Sequence, residues 1–188
     1  LRMSMEQAMR SVLAAEQVID EVQPLHALYL EKDYMGLGSL YDVGLNRGVN
    51  RVVETTEAFS LDLAAIEAAI GPQTKAIILN TPNNPTGRIC SAEELHALGQ
   101  LLTQAERRLG RSLYLLIDTP YAKLTYNGRS NPPLFGHHAN TIVVHSHSKD
   151  LGLAGERIGY LIISPHAQYR QDLRDACAFN NRVMGFIN

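Results

Sequence analysis

One lysine and one arginine lie close together in a stretch of small residues, and their types suggest carbonyl and anion chemistry. Lys149 follows Ser148 within "SHSKDLGLAGERIG", residues 146–159, and Arg157 comes eight residues later between glycines. A lysine amine attacks carbonyl groups when its surroundings orient it. An arginine fork with serine hydroxyls suits a phosphate. The stretch is therefore either an ordinary solvated loop or the place where a lysine and an arginine hold the same small anionic molecule.

Strand-like and helix-like segments alternate over most of the chain. Uninterrupted apolar stretches predict four strands, at 75–80, 113–118, 141–146 and 159–164. Apolar residues at helical spacing predict four helices, at 4–19, 61–70, 91–109 and 166–185. Ser60 is the predicted cap of the second helix, and Ser91 forms a capping box with Glu94 at the third. A short strand is predicted at 49–55, and residues 20–50 predict a loop with at most one more helix.

This alternation predicts an α/β fold, in which a mostly parallel sheet carries helices on both faces. Three of the predicted strands end in polar residues: Asn80 before "TPNNPTG", Asp118 before "TPY" and His145 before "SHSK". Ligands of such sheets bind beyond the carboxyl ends of the strands. We therefore expect these three strand ends to gather at one edge of the sheet.

The residue types at this predicted edge match the parts of one molecule. Taken singly, each has an ordinary explanation, such as a turn, a helix cap, packing or a surface charge. Taken together, Asp118 suits a protonated ring nitrogen, while the Asn84 amide and the Tyr121 hydroxyl suit a phenolic oxygen. Lys149 suits an aldehyde, and Arg157 with nearby serines suits a phosphate. An aldehyde, a ring nitrogen, a phenolic oxygen and a phosphate are the parts of pyridoxal 5'-phosphate.

The same residues resemble the signatures of the class I/II aminotransferases, which are fold-type-I pyridoxal-phosphate enzymes. The matching stretches are "NNPTG" around Asn84, "DTPY" from Asp118 to Tyr121, and "SHSKDLGLAGERIGY" around Lys149. They occur in the family's order. The resemblance implies transfer of an amino group between an amino acid and a 2-keto acid, in two half-reactions at one site. It also implies a cytoplasmic enzyme that forms a homodimer in its full-length state.

The resemblance implies a role for each matching residue. Lys149 would be the Schiff-base lysine and would shuttle the proton between the substrate's α-carbon and the cofactor. Asp118 would pair with the ring nitrogen. The other residues would contact the cofactor: its phenolic oxygen by Asn84 and Tyr121, its phosphate by Ser146, Ser148 and Arg157, and its ring face by Tyr34.

The chain is about half as long as members of this family. We therefore expect residues 1–188 to be part of the large, cofactor-binding domain, without the family's N-terminal segment and C-terminal small domain. "DEVQP" at 20–24 resembles a strand that follows the family's first helix here, and residues 25–48 match poorly. A piece without the arginine that grips the substrate carboxylate should transaminate poorly or not at all.

Three other functions are consistent with parts of the pattern. The first is another reaction with the same cofactor, catalysed by a carbon–sulfur lyase, a decarboxylase or a racemase. The second is a non-catalytic aminotransferase-like sensor domain of a transcription regulator. The third is a metal site, because "HSH" places His145 and His147 two residues apart on a strand. No carboxylate–histidine motif of the hydrolase type accompanies these histidines, so the sequence predicts no metal ligand, His145 near the cofactor and His147 facing outward.

Composition excludes several other classes. The formal net charge is −2, which disfavours a nucleic-acid binder that relies on a broad basic face. No apolar run approaches the roughly 20 residues that span a bilayer, and the first residues do not resemble a signal peptide. The two cysteines, Cys90 and Cys177, are far apart and indicate free thiols in a reducing compartment.

Overall fold

Six strands form a single sheet flanked by short and long helices. A computed structural model describes residues 26–30, without their side chains, and residues 49–183. Its strands are β1 (His26–Leu30), β2 (Val49–Val53), β3 (Thr74–Asn80), β4 (Tyr114–Asp118), β5 (Thr141–Ser146) and β6 (Gly159–Ile163). Its helices are α1 (Leu63–Ala69), α2 (Ala92–Leu109), α3 (His147–Asp150) and α4 (Arg170–Val183). The five strands β2 to β6 and the helices α1, α2 and α4 lie where the sequence predicts them, with differences of a few residues at their ends.

The sheet has the order β2-β1-β3-β4-β5-β6. All neighbouring strands are parallel except β5 and β6, which are antiparallel. The predicted α/β fold with a mostly parallel sheet is therefore confirmed. Parallel neighbours have their carboxyl ends at the same edge, and β6 adds its amino end to that edge.

One face of the sheet buries the core. Every second residue of the central strands points to this face and packs against α1 and α2, which lie over it. The buried members are Ile77, Leu79, Leu115, Ile117 and Val143 from strands, and Ile66, Ala69, Leu95, Leu98, Leu102 and Ala105 from helices. This alternation places Asn80 and Asp118, which are half-buried, on the side of the strands away from that core.

Helix α2 begins and ends with the signals that its sequence carries. Ser91 accepts a hydrogen bond from the backbone of Glu94, and the Glu94 side chain accepts one from the backbone of Ser91, which confirms the predicted capping box. Gly110 ends the helix in the left-handed conformation, with φ of 68°. Midway, a Cβ at Gly99 would overlap the carbonyl oxygen of His137. The helix therefore approaches the segment before β5 closely only because residue 99 has no side chain.

Three sequence predictions are corrected. Helix α1 is capped by Asp62, whose Oδ1 accepts a bond of 2.9 Å from the Ala65 amide, and not by Ser60. The Ser60 amide is instead bound to Thr56 Oγ1 at 3.1 Å. Residues 26–30, predicted as loop, form strand β1, which pairs with β2 on one side and with β3 on the other. The last helix begins at Arg170 and not at residue 166.

The predicted helix at 4–19, the strand-like segment at 20–24 and Tyr34 lie outside the described residues. Whether helices cover both faces of the sheet depends in part on that first helix, so this feature stays a prediction. Among residues 26–30 and 49–183, every helix is too short or too polar to cross a lipid bilayer.

Candidate active site

Three neighbouring strands bring their polar ends to one edge of the sheet. Strands β3, β4 and β5 are adjacent and parallel, with Asn80 opposite Asp118 and Asp118 opposite Val144. The pairing continues one residue past two of the strands. The Thr81 amide donates to the Asp118 carbonyl at 3.1 Å, and the Thr119 amide donates to the Val144 carbonyl at 2.9 Å. The prediction that these strand ends meet is therefore confirmed.

Asp118 lies half-buried at the centre of this edge. Its Oδ2 accepts a hydrogen bond of 3.1 Å from Asn80 Nδ2. Burial raises the pKa of Asp118 above its ordinary value, and the Asn80 hydrogen bond and the charge of His145 only partly oppose that rise. A cation placed against Asp118 would stabilise its charged form and lower its pKa again.

Asn80 also holds the loop that carries Asn84. Its Oδ1 accepts a hydrogen bond of 3.0 Å from the Asn84 amide, while its Nδ2 binds Asp118. One side chain thus connects two residues to which the sequence assigned separate roles. The peptide bonds Thr81–Pro82 and Asn84–Pro85 are both cis, and the Asn84 side chain is exposed at the edge.

A salt bridge attaches the far end of this loop to α2. Arg88 Nη1 lies 2.9 Å from Glu94 Oε2, and Arg88 Nη2 donates to Ser60 Oγ at 3.0 Å. Burial tends to raise the pKa of Glu94, but hydrogen bonds from Arg88 and from the Ser91 and Leu61 amides outweigh it and lower the pKa. Glu94 therefore caps the helix as a carboxylate and anchors the loop at the same time.

Lys149 lies in the single helical turn α3 that follows β5. Ser146 begins this turn, and its Oγ accepts a bond of 3.2 Å from the Ser148 amide. The two serine hydroxyls also bind each other at 2.8 Å. Lys149 is exposed, so its amine is free to reach a ligand bound at the edge.

Arg157 lies at the same edge of the sheet, just before the antiparallel strand β6 begins. Because β6 is antiparallel to β5, Gly159 pairs with Ser146, and Arg157 lies two residues before that pair. A Cβ at Gly159 would overlap the carbonyl oxygen of His145, so glycine permits the close approach. Arg157 has a φ of 54°, which is unusual for a residue with a side chain. Its Nη1 donates to the Ala154 carbonyl at 3.0 Å, so the guanidinium is held within its own loop.

Tyr121 follows β4 in a compact turn. The Ala122 amide donates to the Thr119 carbonyl at 3.2 Å, and the Leu124 amide donates to the Tyr121 carbonyl at 2.9 Å. The Tyr121 side chain is half-buried. The structure thus brings Asn84, Asp118, Tyr121, Ser146, Ser148, Lys149 and Arg157 to one edge of the sheet. Within this set of residues, the hydrogen bonds that the structure gives are those between Ser146 and Ser148.

Four further residues, Thr119, Lys123, His147 and Asp150, build a polar cluster around His145 beside this site. His145 Nδ1 lies 2.8 Å from the Thr119 carbonyl, and its Nε2 lies 3.1 Å from Asp150 Oδ2. His147 Nδ1 lies 3.2 Å from Asp150 Oδ1, and Lys123 Nζ lies 2.9 Å from Asp150 Oδ2. Hydrogen bonds from Lys123, then from the two histidines, lower the pKa of Asp150 despite its desolvation.

The sequence prediction that His147 faces outward is wrong, because its ring turns back to Asp150 and lies 5.2 Å from the ring of His145. His145 in turn stacks on Tyr160 at 4.9 Å. The missed signal was Asp150, three residues after His147. At that spacing a helical turn brings the two side chains together.

Comparison with known proteins agrees with this architecture. The sequence profile of the family "Aminotransferase class I and II" matches residues 41–184. An aspartate aminotransferase of Geobacillus stearothermophilus is 38% identical over 127 residues, which are 63% of this chain and 30% of that protein. A histidinol-phosphate aminotransferase of Dehalococcoides mccartyi is 32% identical over 137 residues, 72% of this chain and 35% of that protein.

Solved structures show the same fold. An aminotransferase from Eubacterium rectale superposes with a TM-score of 0.75 at 29% identity, over 94% of this chain and 45% of that one. The aspartate aminotransferase of Thermus thermophilus with maleate gives 0.70 at 26% identity, over 93% of this chain and 43% of that one. The chain thus spans less than half the length of these relatives. It belongs to the class I and II aminotransferase family.

Proposed function

We propose that this chain is the cofactor-binding part of a pyridoxal-phosphate-dependent aminotransferase, which transfers an amino group between an amino acid and a 2-keto acid. The observation that carries the proposal is the convergence of Asn84, Asp118 and Lys149 at the carboxyl edge of adjacent strands. Relatives named for aspartate and for histidinol phosphate share the family. The transfer reaction is what they have in common, and the amino donor is what differs among them.

The geometry of the edge fits pyridoxal phosphate. Asp118 is a half-buried acid with a raised pKa, and the ring nitrogen of this cofactor is a group that becomes a cation when an acid lies against it. Lys149 is an exposed amine on the neighbouring strand end. When bound, the cofactor would supply a protonated ring that withdraws electrons from the substrate's α-carbon.

The chain's own residues would then hold the cofactor and move one proton. Lys149 Nζ would carry the covalent attachment until the substrate's amine displaces it, and as the freed amine it would accept the proton from the substrate's α-carbon. Asp118 would keep the ring nitrogen protonated. Asn84 and Tyr121 would donate hydrogen bonds to the phenolic oxygen, and Asn80 would fix the positions of Asn84 and Asp118.

The phosphate would bind where β5 ends and β6 begins. Ser146 and Ser148 lie at the start of α3, and Arg157 comes to the same edge through the antiparallel pairing of β6. Its positive φ supports a functional role, because backbone strain of this kind is concentrated at sites of binding. To reach a phosphate, the Arg157 guanidinium would leave the Ala154 carbonyl, which is an exposed contact. Tyr34 remains the proposed residue for the ring face.

The test is to trap the covalent attachment and locate it. The protein is incubated with pyridoxal phosphate, reduced with borohydride, digested and analysed by mass spectrometry. We expect the label on Lys149, and we expect it to disappear in Lys149→Ala. Lys75→Ala is the matched control, because Lys75 lies near the amino end of β3, at the opposite edge of the sheet. It should be labelled as the wild type is.

Two outcomes would count against the proposal. Label spread over several lysines, unchanged by Lys149→Ala, would show surface reaction and no site. Specific label on Lys149 without transfer of an amino group by the full-length protein would favour another pyridoxal-phosphate reaction or a sensor domain. Assembly of the full-length protein as a homodimer and its place in the cytoplasm remain parts of the proposal. Light scattering and cell fractionation test them.

A further inference from the structure

Two histidines and one carboxylate converge beside Lys149 with the spacing of metal ligands. Asp150 Oδ2 lies 3.1 Å from His145 Nε2 and 3.3 Å from His147 Nδ1. One ligand atom from each residue lies within 4.8 Å of the others. A tetrahedral ion with bonds of about 2.0–2.1 Å to nitrogen and oxygen holds its ligand atoms about 3.3 Å apart. Two of the three ligand separations are therefore already close to those that such an ion requires.

The hydrogen bonds of His145 orient it as metal-binding histidines are oriented. The carbonyl oxygen of Thr119 is only an acceptor, so the His145 Nδ1 that lies 2.8 Å from it carries a hydrogen. With that hydrogen on Nδ1, Nε2 of the neutral ring presents a lone pair to Asp150. A lone pair and a carboxylate oxygen 3.1 Å apart repel each other unless a cation lies between them. A metal ion between the two atoms would accept the lone pair of Nε2 and neutralise the carboxylate, while Nδ1 keeps its bond to the Thr119 carbonyl.

Asp150 is suited to bind a cation. Its side chain has no exposed surface, and its carboxylate oxygens already lie against the Lys123 ammonium and both histidine rings. Lys123, whose ammonium lies 2.9 Å away, has a side chain that is 61% exposed. Lys123 can therefore turn into solvent when another cation takes its place, without leaving a buried charge behind. His147 is 21% exposed on its side chain, which gives an entry path from solvent.

We propose that His145, His147 and Asp150 bind a divalent transition-metal ion of the Zn²⁺ type, and that Lys123 occupies the carboxylate in its absence. The ligand set of two imidazoles and one carboxylate suits Zn²⁺ and its neighbours better than Mg²⁺ or Ca²⁺, which prefer oxygen. Three protein ligands leave a fourth position for water or an added ligand. The site lies one residue from Lys149, and it does not depend on the proposed function.

The test is titration of the apo protein with Zn²⁺ against a chelating dye. All variants carry Cys177→Ser, because that thiol is exposed and would bind Zn²⁺ elsewhere. We expect one ion per chain and a loss of affinity of about tenfold or more in His147→Ala and in Asp150→Asn. Lys123→Ala removes the competing ammonium and should tighten binding. His137→Ala is the matched control, because His137 belongs to a separate histidine pair with His96, with ring centroids 6.3 Å apart.

The opposite pattern would overturn the proposal. No binding of Zn²⁺ by a chain that circular dichroism shows to be folded would mean that His145, His147 and Asp150 contact one another without forming a metal site. Binding that His137→Ala removes and His147→Ala leaves intact would place the ion on the surface pair. Weaker or unchanged binding in Lys123→Ala would exclude a competition between the ammonium and the ion for Asp150. Because His147 is partly exposed, His147→Ala should fold, which keeps the comparison decisive.

Discussion

Burial opposes the charged form of Asp118. Because its pKa is raised on folding, the folded chain binds this proton more tightly than the unfolded chain does. Stability from this group is therefore lost as the pH rises from the ordinary carboxyl pKa of 3.8 through the raised pKa of the folded chain. Above the raised folded pKa the unliganded protein carries the full cost, which a bound cation would relieve.

We expect Asp118→Asn to stabilise the unliganded protein at neutral pH, because the amide keeps an oxygen for Asn80 and carries no buried charge. The advantage should shrink as the pH falls and should vanish below the ordinary carboxyl pKa of 3.8. Urea midpoints of both proteins measured across this range check it. A variant that is less stable than the wild type at every pH would show that the carboxylate is needed for folding.

The bridging role of Asn80 gives a second prediction. Asn80→Ala removes a hydrogen bond that favours the charged form of Asp118, so the pKa of Asp118 should rise further. It also frees the Asn84 amide from its acceptor. Titration of labelled aspartate carboxyl groups by NMR measures the shift. The exposed Asn180→Ala should leave the Asp118 titration unchanged, and an equal curve for Asn80→Ala would contradict the bridge.

Among the elements, α2 shows where packing overrides helix propensity. Alanine favours a helix over glycine by about 1 kcal/mol, yet a Cβ at residue 99 would overlap the backbone of His137. We expect Gly99→Ala to destabilise the fold by about 1–3 kcal/mol or more, the usual cost of overpacking. Chemical denaturation measures the loss. Gly155→Ala, where an added Cβ meets nothing within 4 Å, should cost much less.

The elements that the sequence predicts well are those with a local signal. Strands β3 to β6 are uninterrupted apolar runs, and the capping box of α2 is read directly from Ser91 and Glu94. Strand β1 was missed because its five residues, "HALYL", gain their partners only from segments distant in the chain. Ser60 and Asp62 are equally good caps by type. In the structure a local bond to Thr56 and a tertiary bond from Arg88 occupy Ser60, and Asp62 is the cap.

The site shows the same division between local and distant signals. Its residue types and strand ends were readable from the sequence, because each motif follows a recognisable strand. The contacts of Asn80 and the ion pair between Lys123 and Asp150 were not, because they join segments that are distant in the chain. The antiparallel direction of β6 was predictable from the length of the connection that precedes it. Twelve residues that contain one helical turn separate it from β5, and a parallel connection of that length normally contains a full helix.

At the scale of the whole molecule, β6 is the outermost strand on one side of the described sheet. It pairs with β5 alone, and its consecutive residues Tyr160, Leu161 and Ile162 are 47%, 42% and 45% exposed. Consecutive residues of a strand face opposite sides, so apolar surface is open on both faces and beside an unpaired edge. Such an edge invites pairing with another strand.

We expect the chain to self-associate through this edge. Ile162→Lys should reduce the association, because a charged edge residue opposes strand pairing. Light scattering over a range of protein concentrations measures it. Tyr126→Lys is the control, since Tyr126 is 75% exposed and lies outside the strands. If both variants behaved as the wild type does, the exposed strand would not be the surface through which copies meet.

The hydrogen bonds that extend the sheet past its strands have a consequence for local motion. Thr81 and Thr119 come after β3 and β4, yet both are buried and each amide is bound to the next strand. Their amide hydrogens should therefore exchange with deuterated water as slowly as those of the core. The amides of the exposed Lys149 and Arg157 segments should exchange quickly. The frame that positions the candidate site would then be rigid before any ligand arrives, and ordering on binding would be confined to the side chains and short turns that touch the ligand.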